Sequence, residues 1–171
     1  MKTSLLLGCL LAALVFAVRA EDRKKDSSAP KPPTFKTPKG WKAVDPGVIT
    51  SARFEIGEKD RIASVTVTGL SGEGGGLTAN VNRWREQIGL KSLAEKDVLK
   101  SLQEIKVDGI SGHAVDLTGP DRDGKVTQRI LAAVVKRGDQ TWFFKLSGPA
   151  GLVGEQKAAF EEFLKSVRFE K

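Results

Sequence analysis

Ile130-Leu131-Ala132-Ala133-Val134-Val135-Lys136-Arg137-Gly138-Asp139-Gln140-Thr141-Trp142-Phe143-Phe144-Lys145-Leu146-Ser147 decides how this chain folds. Ile130 to Val135 contains no polar residue. A strand of that kind is covered on both faces. The predicted strand runs from Val126 to Lys136. Gly138-Asp139 then supplies a hairpin turn, since both residue types tolerate turn backbone that others resist. In the returning strand Trp142, Phe144 and Leu146 share one face at a period of two. Two strands joined by a hairpin turn, the first covered on both faces, follow from these residues alone.

Working outward, Glu104 to Val107 and Ile110 to Leu117 flank Asp108-Gly109, a pair favoured where both turn residues need positive φ. A second hairpin is therefore expected there. Near the start, Trp41 to Val44 reads as a short strand. Ile49 to Ile56 places Ala52, Phe54 and Ile56 on one face. Gly57-Glu58-Lys59-Asp60 is its turn, and Ala63 to Leu70 continues with Val65, Val67 and Gly69 opposite Thr66, Thr68 and Leu70. Two segments carry helical spacing instead. Leu77, Val81, Trp84 and Ile88 form one stripe, with Gly89 as the stop. After Gly148-Pro149, Val153 to Val167 is expected as one helix that turns Phe160, Phe163, Leu164 and Val167 inward. A short helix is expected around Asp97 to Leu102. Strands, a helix, more antiparallel strands and a final helix make an α+β protein, a mainly antiparallel sheet flanked by helices.

Composition narrows the chemistry. The 171 residues are 40% hydrophobic, sufficient for a core, and include one His, one Cys and no Tyr. A zinc centre built from His and Cys needs about four such ligands, so no metal or other cofactor is expected. Lys and Glu are mixed along the chain, with no basic stripe interleaved with aromatics, so nucleic acid is not an expected partner. The formal net charge of +7 favours an anionic partner.

The first residues read as an address. Lys2 precedes an apolar run from Leu5 to Val18, and Val18-Arg19-Ala20 offers small residues where a signal peptidase cuts. Residues 1–20 are expected to be a cleaved leader. Two alternatives attach the chain to a membrane: an uncleaved leader, or acylation of Cys9 within Leu6-Leu7-Gly8-Cys9. Residues 21–34 are rich in Pro and Lys and are expected to form a disordered, semi-stiff linker. The folded domain is expected over 35–171. The expected location is periplasmic or extracellular.

Phe35-x-x-Pro38-x-Gly40-Trp41 resembles the opening of the PsbP-like (DcrB-type) α/β/α sandwich family. So does the ending, Trp142-Phe143-Phe144-Lys145-Leu146-Ser147-Gly148 followed by Phe163-Leu164-Lys165-Ser166-Val167-Arg168-Phe169. Gly74-Gly75-Gly76-x-x-x-Asn80-Val81-Asn82-Arg83-Trp84-Arg85 is similar to a segment of exported bacterial proteins of this type. The resemblance covers Phe35 to Phe169. It implies a scaffold used for binding or assembly and transfers no catalytic residue.

One segment stands out as a ligand-binding candidate. Gly74, Gly75 and Gly76 lead into a helix, where converging backbone N–H groups and the helix dipole favour an anion. Arg83 adds charge, and Asn80 either faces the ligand or ties the loop to itself. No Lys follows the glycines as in a phosphate loop. His113 and Asp116, three apart on a strand, point to opposite faces and cannot pair directly. Asp121-x-Asp123-Gly124 imitates the start of a calcium loop but lacks the acidic residue at its twelfth position, and reads as a turn. The expected function is an exported, non-catalytic binding or assembly module of the bacterial cell envelope, whose partner is an envelope protein or an anionic envelope component. The alternative is an envelope hydrolase with a carboxylate site, and a cleft holding two convergent carboxylates would favour it.

Overall fold

The computed structural model describes residues 31–120, 123–124 and 127–170. The expected leader, Cys9 and residues 21–30 of the expected linker lie outside them. In chain order the elements are β1 (Lys42–Val44), β2 (Ala52–Glu58), β3 (Arg61–Ser71), α1 (Leu77–Gln87), α2 (Glu95–Ser101), β4 (Gln103–Val107), β5 (Ile110–Pro120), β6 (Thr127–Arg137), β7 (Gln140–Pro149), α3 (Ala150–Glu155) and α4 (Lys157–Ser166). The strands form one seven-stranded antiparallel sheet in the order β1-β2-β3-β7-β6-β5-β4. The α+β class, with an antiparallel sheet between helices, is the class found.

The central pair is β6 and β7, as the apolar run requires. Alternation along these strands divides the core in two. Leu131, Ala133, Val135, Trp142, Phe144 and Leu146 point to one face, where α3 and α4 bury Leu152, Val153, Phe160 and Phe163 against them. Ile130, Ala132, Val134 and Phe143 point to the other, under Val81, Trp84 and Ile88 of the α1 segment and Val98 of α2. Each large apolar side chain removed from water contributes about 1.5–3 kcal/mol. Trp84 meets Phe143 edge to face with ring centroids 6.3 Å apart. The helices therefore fasten both faces of the same two strands.

The Asp108-Gly109 turn has φ of 49° and 78°, as its sequence requires. Three expectations need correction. The strand predicted from Ile49 begins at Ala52: the Asp45 carboxylate accepts from the Gly47 amide at 2.9 Å and holds a turn there, leaving Ile49 exposed. The final helix is interrupted at Gln156. Gly151 and Gly154 weaken its first turns, and the Gln156 side-chain oxygen accepts from the Trp41 indole at 3.0 Å. The short helix predicted from Asp97 starts two residues earlier, at Glu95.

The two ends of the described chain meet. Thr34 and Arg168 exchange backbone hydrogen bonds of 2.9 and 2.8 Å. Phe35 packs edge-on against Phe163, centroid to centroid 5.0 Å.

Candidate functional site

The Gly-rich loop connects β3 to α1 across the end of the central hairpin. The Gly72 amide donates to Asp139 O at 2.8 Å, and the Thr141 hydroxyl donates to Gly72 O at 2.7 Å. The Gly74 amide donates to Ser71 O and the Gly76 amide to Glu73 O. Three of the loop's amides are thus spent inside the protein. The Gly74 and Gly76 amides, expected to converge on an anion, close turns within the loop.

The glycines answer to packing. A Cβ on Gly74 would stand 2.7 Å from the Phe143 ring, and its φ is +58°. Gly75 and Gly76 also have positive φ. Asn80, only 4% exposed, ties the loop together: its amide donates to Gly74 O at 2.9 Å and to Gly76 O at 2.7 Å. Its Oδ1 accepts from Arg83 Nη1 at 2.9 Å. Gly74, Gly76, Asn80 and Arg83 therefore form one connected cluster. Gly75 lies against it, its Cβ position 3.8 Å from Asn80 Nδ2.

Beside this loop the sheet is not covered. A hollow of about 590 Å³ opens between Glu73 and Leu77 on one side and the β4–β5 hairpin on the other. Val134 and Phe143 help line it, and Glu104, Lys106, Ser111, His113 and Lys136 surround them. Glu104 and His113 lie opposite each other in the β4–β5 register. Glu73 is ion-paired with Lys136. The result is a partly apolar depression ringed by charges of both signs, the usual make-up of a small-ligand or peptide site.

His113 belongs to this hollow, while Asp116 lies on the α4 face, held by Arg129 at 2.6 Å and Lys157 at 3.0 Å. The Arg129 guanidinium, and to a lesser degree Lys157, holds the Asp116 carboxyl below the usual carboxylate range despite its burial. The two residues are separated by the sheet, as their spacing requires.

Two features could not be read from the chain. Glu104, His113, Lys136 and Glu73 come together only because β4, β5, β6 and the loop converge at one end of the sheet. Lys145 alternates with Phe144 and Leu146 like any polar strand residue. Yet burial, with the nearby charge of Arg83, pushes its amine below the usual lysine value.

No known family profile matches the chain, and no curated protein matches it. Solved structures do. LpqN of Mycobacterium tuberculosis, described as involved in cell envelope biogenesis, matches at a TM-score of 0.53 and 10% identity, over 85% of this chain and 88% of its own. A protein from Bacteroides thetaiotaomicron matches at a TM-score of 0.50 and 13% identity over 80% of this chain, which spans 44% of that one. Cyanobacterial PsbP from Synechocystis matches at a TM-score of 0.47 and 19% identity, over 80% of this chain and 85% of its own. Such identities speak for the fold alone, and a score below 0.5 carries no argument. The fold of the chain is the α/β/α sandwich expected from its sequence, a seven-stranded antiparallel sheet between helices, and LpqN is similar to it in fold. Among the described residues no helix is long and apolar enough to cross a membrane.

Proposed function

We propose that the chain is an exported binding or assembly module of the bacterial cell envelope, working without catalysis. The observation that carries this reading is the hollow beside the Gly-rich loop. A sheet whose centre is sealed by helices on both faces leaves one end of one face open there, with apolar and charged groups side by side. The leader-like residues 1–20 and the likeness in fold to LpqN support an envelope setting. The positive net charge supports an anionic envelope component or an acidic protein surface as the partner.

The alternative, a hydrolase, draws on one fact: Glu73 and Glu104 both border the hollow. Glu73, however, has a side chain 71% exposed and paired with Lys136. A general acid is kept protonated by a drier setting than that. Binding is therefore the preferred reading.

Titration of the full chain with peptidoglycan fragments and with an acidic envelope-protein peptide, followed by amide chemical shifts, tests it. Saturable shifts at Glu73, Leu77, Lys106 and His113 are the expected result. No response around the hollow, or turnover of a fragment that disappears in Glu104→Gln, overturns it.

A further inference from the structure

The sheet ends at β4, which has β5 on one side and, among the described residues, no strand on the other. Its sequence is Gln103-Glu104-Ile105-Lys106-Val107. The Asp108-Gly109 turn decides which backbone groups of β4 are already used. Both turn residues have positive φ, and Val107 pairs with Ile110. A two-residue turn of that kind closes on a hydrogen-bonded pair. Hydrogen-bonded and non-hydrogen-bonded pairs then alternate along the ladder. Gln103, Ile105 and Val107 therefore bond to β5, and the amides and carbonyls of Glu104 and Lys106 point off the edge of the sheet.

An open edge is a template for another strand, and proteins commonly guard it with charge. On β4 the guard is self-complementary. Glu104 and Lys106 are exposed and share one face of the sheet. Neither has an ion-pair partner among the described residues. A second β4 laid antiparallel to the first can align its outward groups in few registers. Glu104 opposite Glu104, or Lys106 opposite Lys106, sets like charges together. The register centred on Ile105 instead sets each Glu104 opposite the other copy's Lys106. Both of these are hydrogen-bonded pairs, so two charge pairs come with the backbone bonds. Ile105 meets its own copy at the centre, in a non-hydrogen-bonded pair whose side chains come closer. Ile105 and Leu164 are only partly buried and line a cavity of about 90 Å³ between β4 and α4, so this side of the edge has apolar surface left to cover. The opposite edge, β1, is three residues long and carries no carboxylate to match its Lys42.

We infer that β4 is a dimerisation edge, which joins two copies of this chain into one continuous antiparallel sheet. The two-fold axis stands perpendicular to the sheet. The hollows of both copies, bordered by these same Glu104 and Lys106 side chains, then open side by side on one face. The pairing does not rest on what the hollow binds, and it is measured without a ligand.

Sedimentation equilibrium of the full chain tests it, with two charge reversals, Glu104→Lys and Lys106→Glu. Both residues are exposed, so neither change reaches the core. The interface is small, and a weak, rapidly exchanging dimer is expected. Each reversal alone sets like charges opposite one another at both pairs and should weaken association about tenfold or more. An equimolar mixture of the two variants should recover it, because every lysine on one edge then faces a glutamate on the other. Amide hydrogen exchange at Glu104 and Lys106 should slow as the concentration of the unaltered chain rises. A chain that stays monomeric up to about 1 mM leaves the edge to a partner of another kind and overturns the inference. It is overturned equally if either reversal associates as tightly as the unaltered chain, or if the mixture gains nothing over the single variants.

Discussion

Arg129 grips Asp116 from the diagonal position on the neighbouring strand, with Nε donating to Oδ1 at 2.7 Å and Nη2 to Oδ2 at 2.6 Å. Lys157, the first residue of α4, donates to the same carboxylate at 3.0 Å. One carboxylate thus links two strands to the helix that covers them. Asp116→Asn should lower stability by about 1–2 kcal/mol in urea unfolding, since two cations lose their partner at a half-buried site. An unchanged midpoint would show that the cluster is ornamental.

The same carboxylate sets an acid limit. Its folded pKa lies below the ordinary 3.8, so the unfolded chain takes up this proton first as the pH drops. Its stabilising contribution is complete above that ordinary value and is lost as the pH falls below it, through the lowered folded value. Unfolding midpoints measured from about pH 5 to about pH 2 should fall less steeply in Asp116→Asn than in the unaltered protein.

Lys145 should behave in the opposite sense. Its folded pKa lies below 10.5, so between the two values the unfolded chain binds more protons. Stability contributed at this site is therefore gained as the pH rises through that window. Lys145→Met should be at least as stable as the unaltered chain at neutral pH and should lose that alkaline gain. Denaturant titrations at neutral and alkaline pH decide the matter. A variant that keeps the gain would place its origin elsewhere.

Glycines of one loop should differ in their tolerance of a methyl group. Gly74→Ala forces a Cβ to 2.7 Å from Phe143 at a φ of +58°, whereas a Cβ on Gly76 meets nothing within 4 Å at a φ of +84°. Gly76→Ala should cost about 1–3 kcal/mol through its backbone alone, and Gly74→Ala more, because overpacking adds to backbone strain. Thermal unfolding of the two variants gives the order.

The address can be read directly. Mass spectrometry of the chain recovered from its host should find Glu21 as the first residue. Acylated Cys9 would transfer the protein to a membrane surface.

Most of the sheet was legible because burial on alternate residues leaves a mark in the sequence. Phe54 and Ile56, Val65 and Val67, Trp142 and Phe144 each repeat at two, and all are buried on one face. Helix α1 was legible for the same reason at a longer period. The break at Gln156 was not, since Phe160 and Phe163 still fall on one side and the contact with Trp41 joins residues far apart in the chain. Nor was the fate of the loop amides, which depends on where Asp139 and Ser71 place their carbonyls. Local patterns report which side of an element faces inward. They do not report which polar groups, brought from different strands, finish as neighbours.

Because Thr34 and Arg168 are bonded to one another, both ends of the domain emerge at a single corner. A short peptide could join them, and new termini cut at the Lys59-Asp60 turn would leave every strand partner in place. Any leash at the front of the chain therefore pulls on a corner that the last residues also hold, and a load on it reaches the Phe35 ring and the tail before it reaches the sheet.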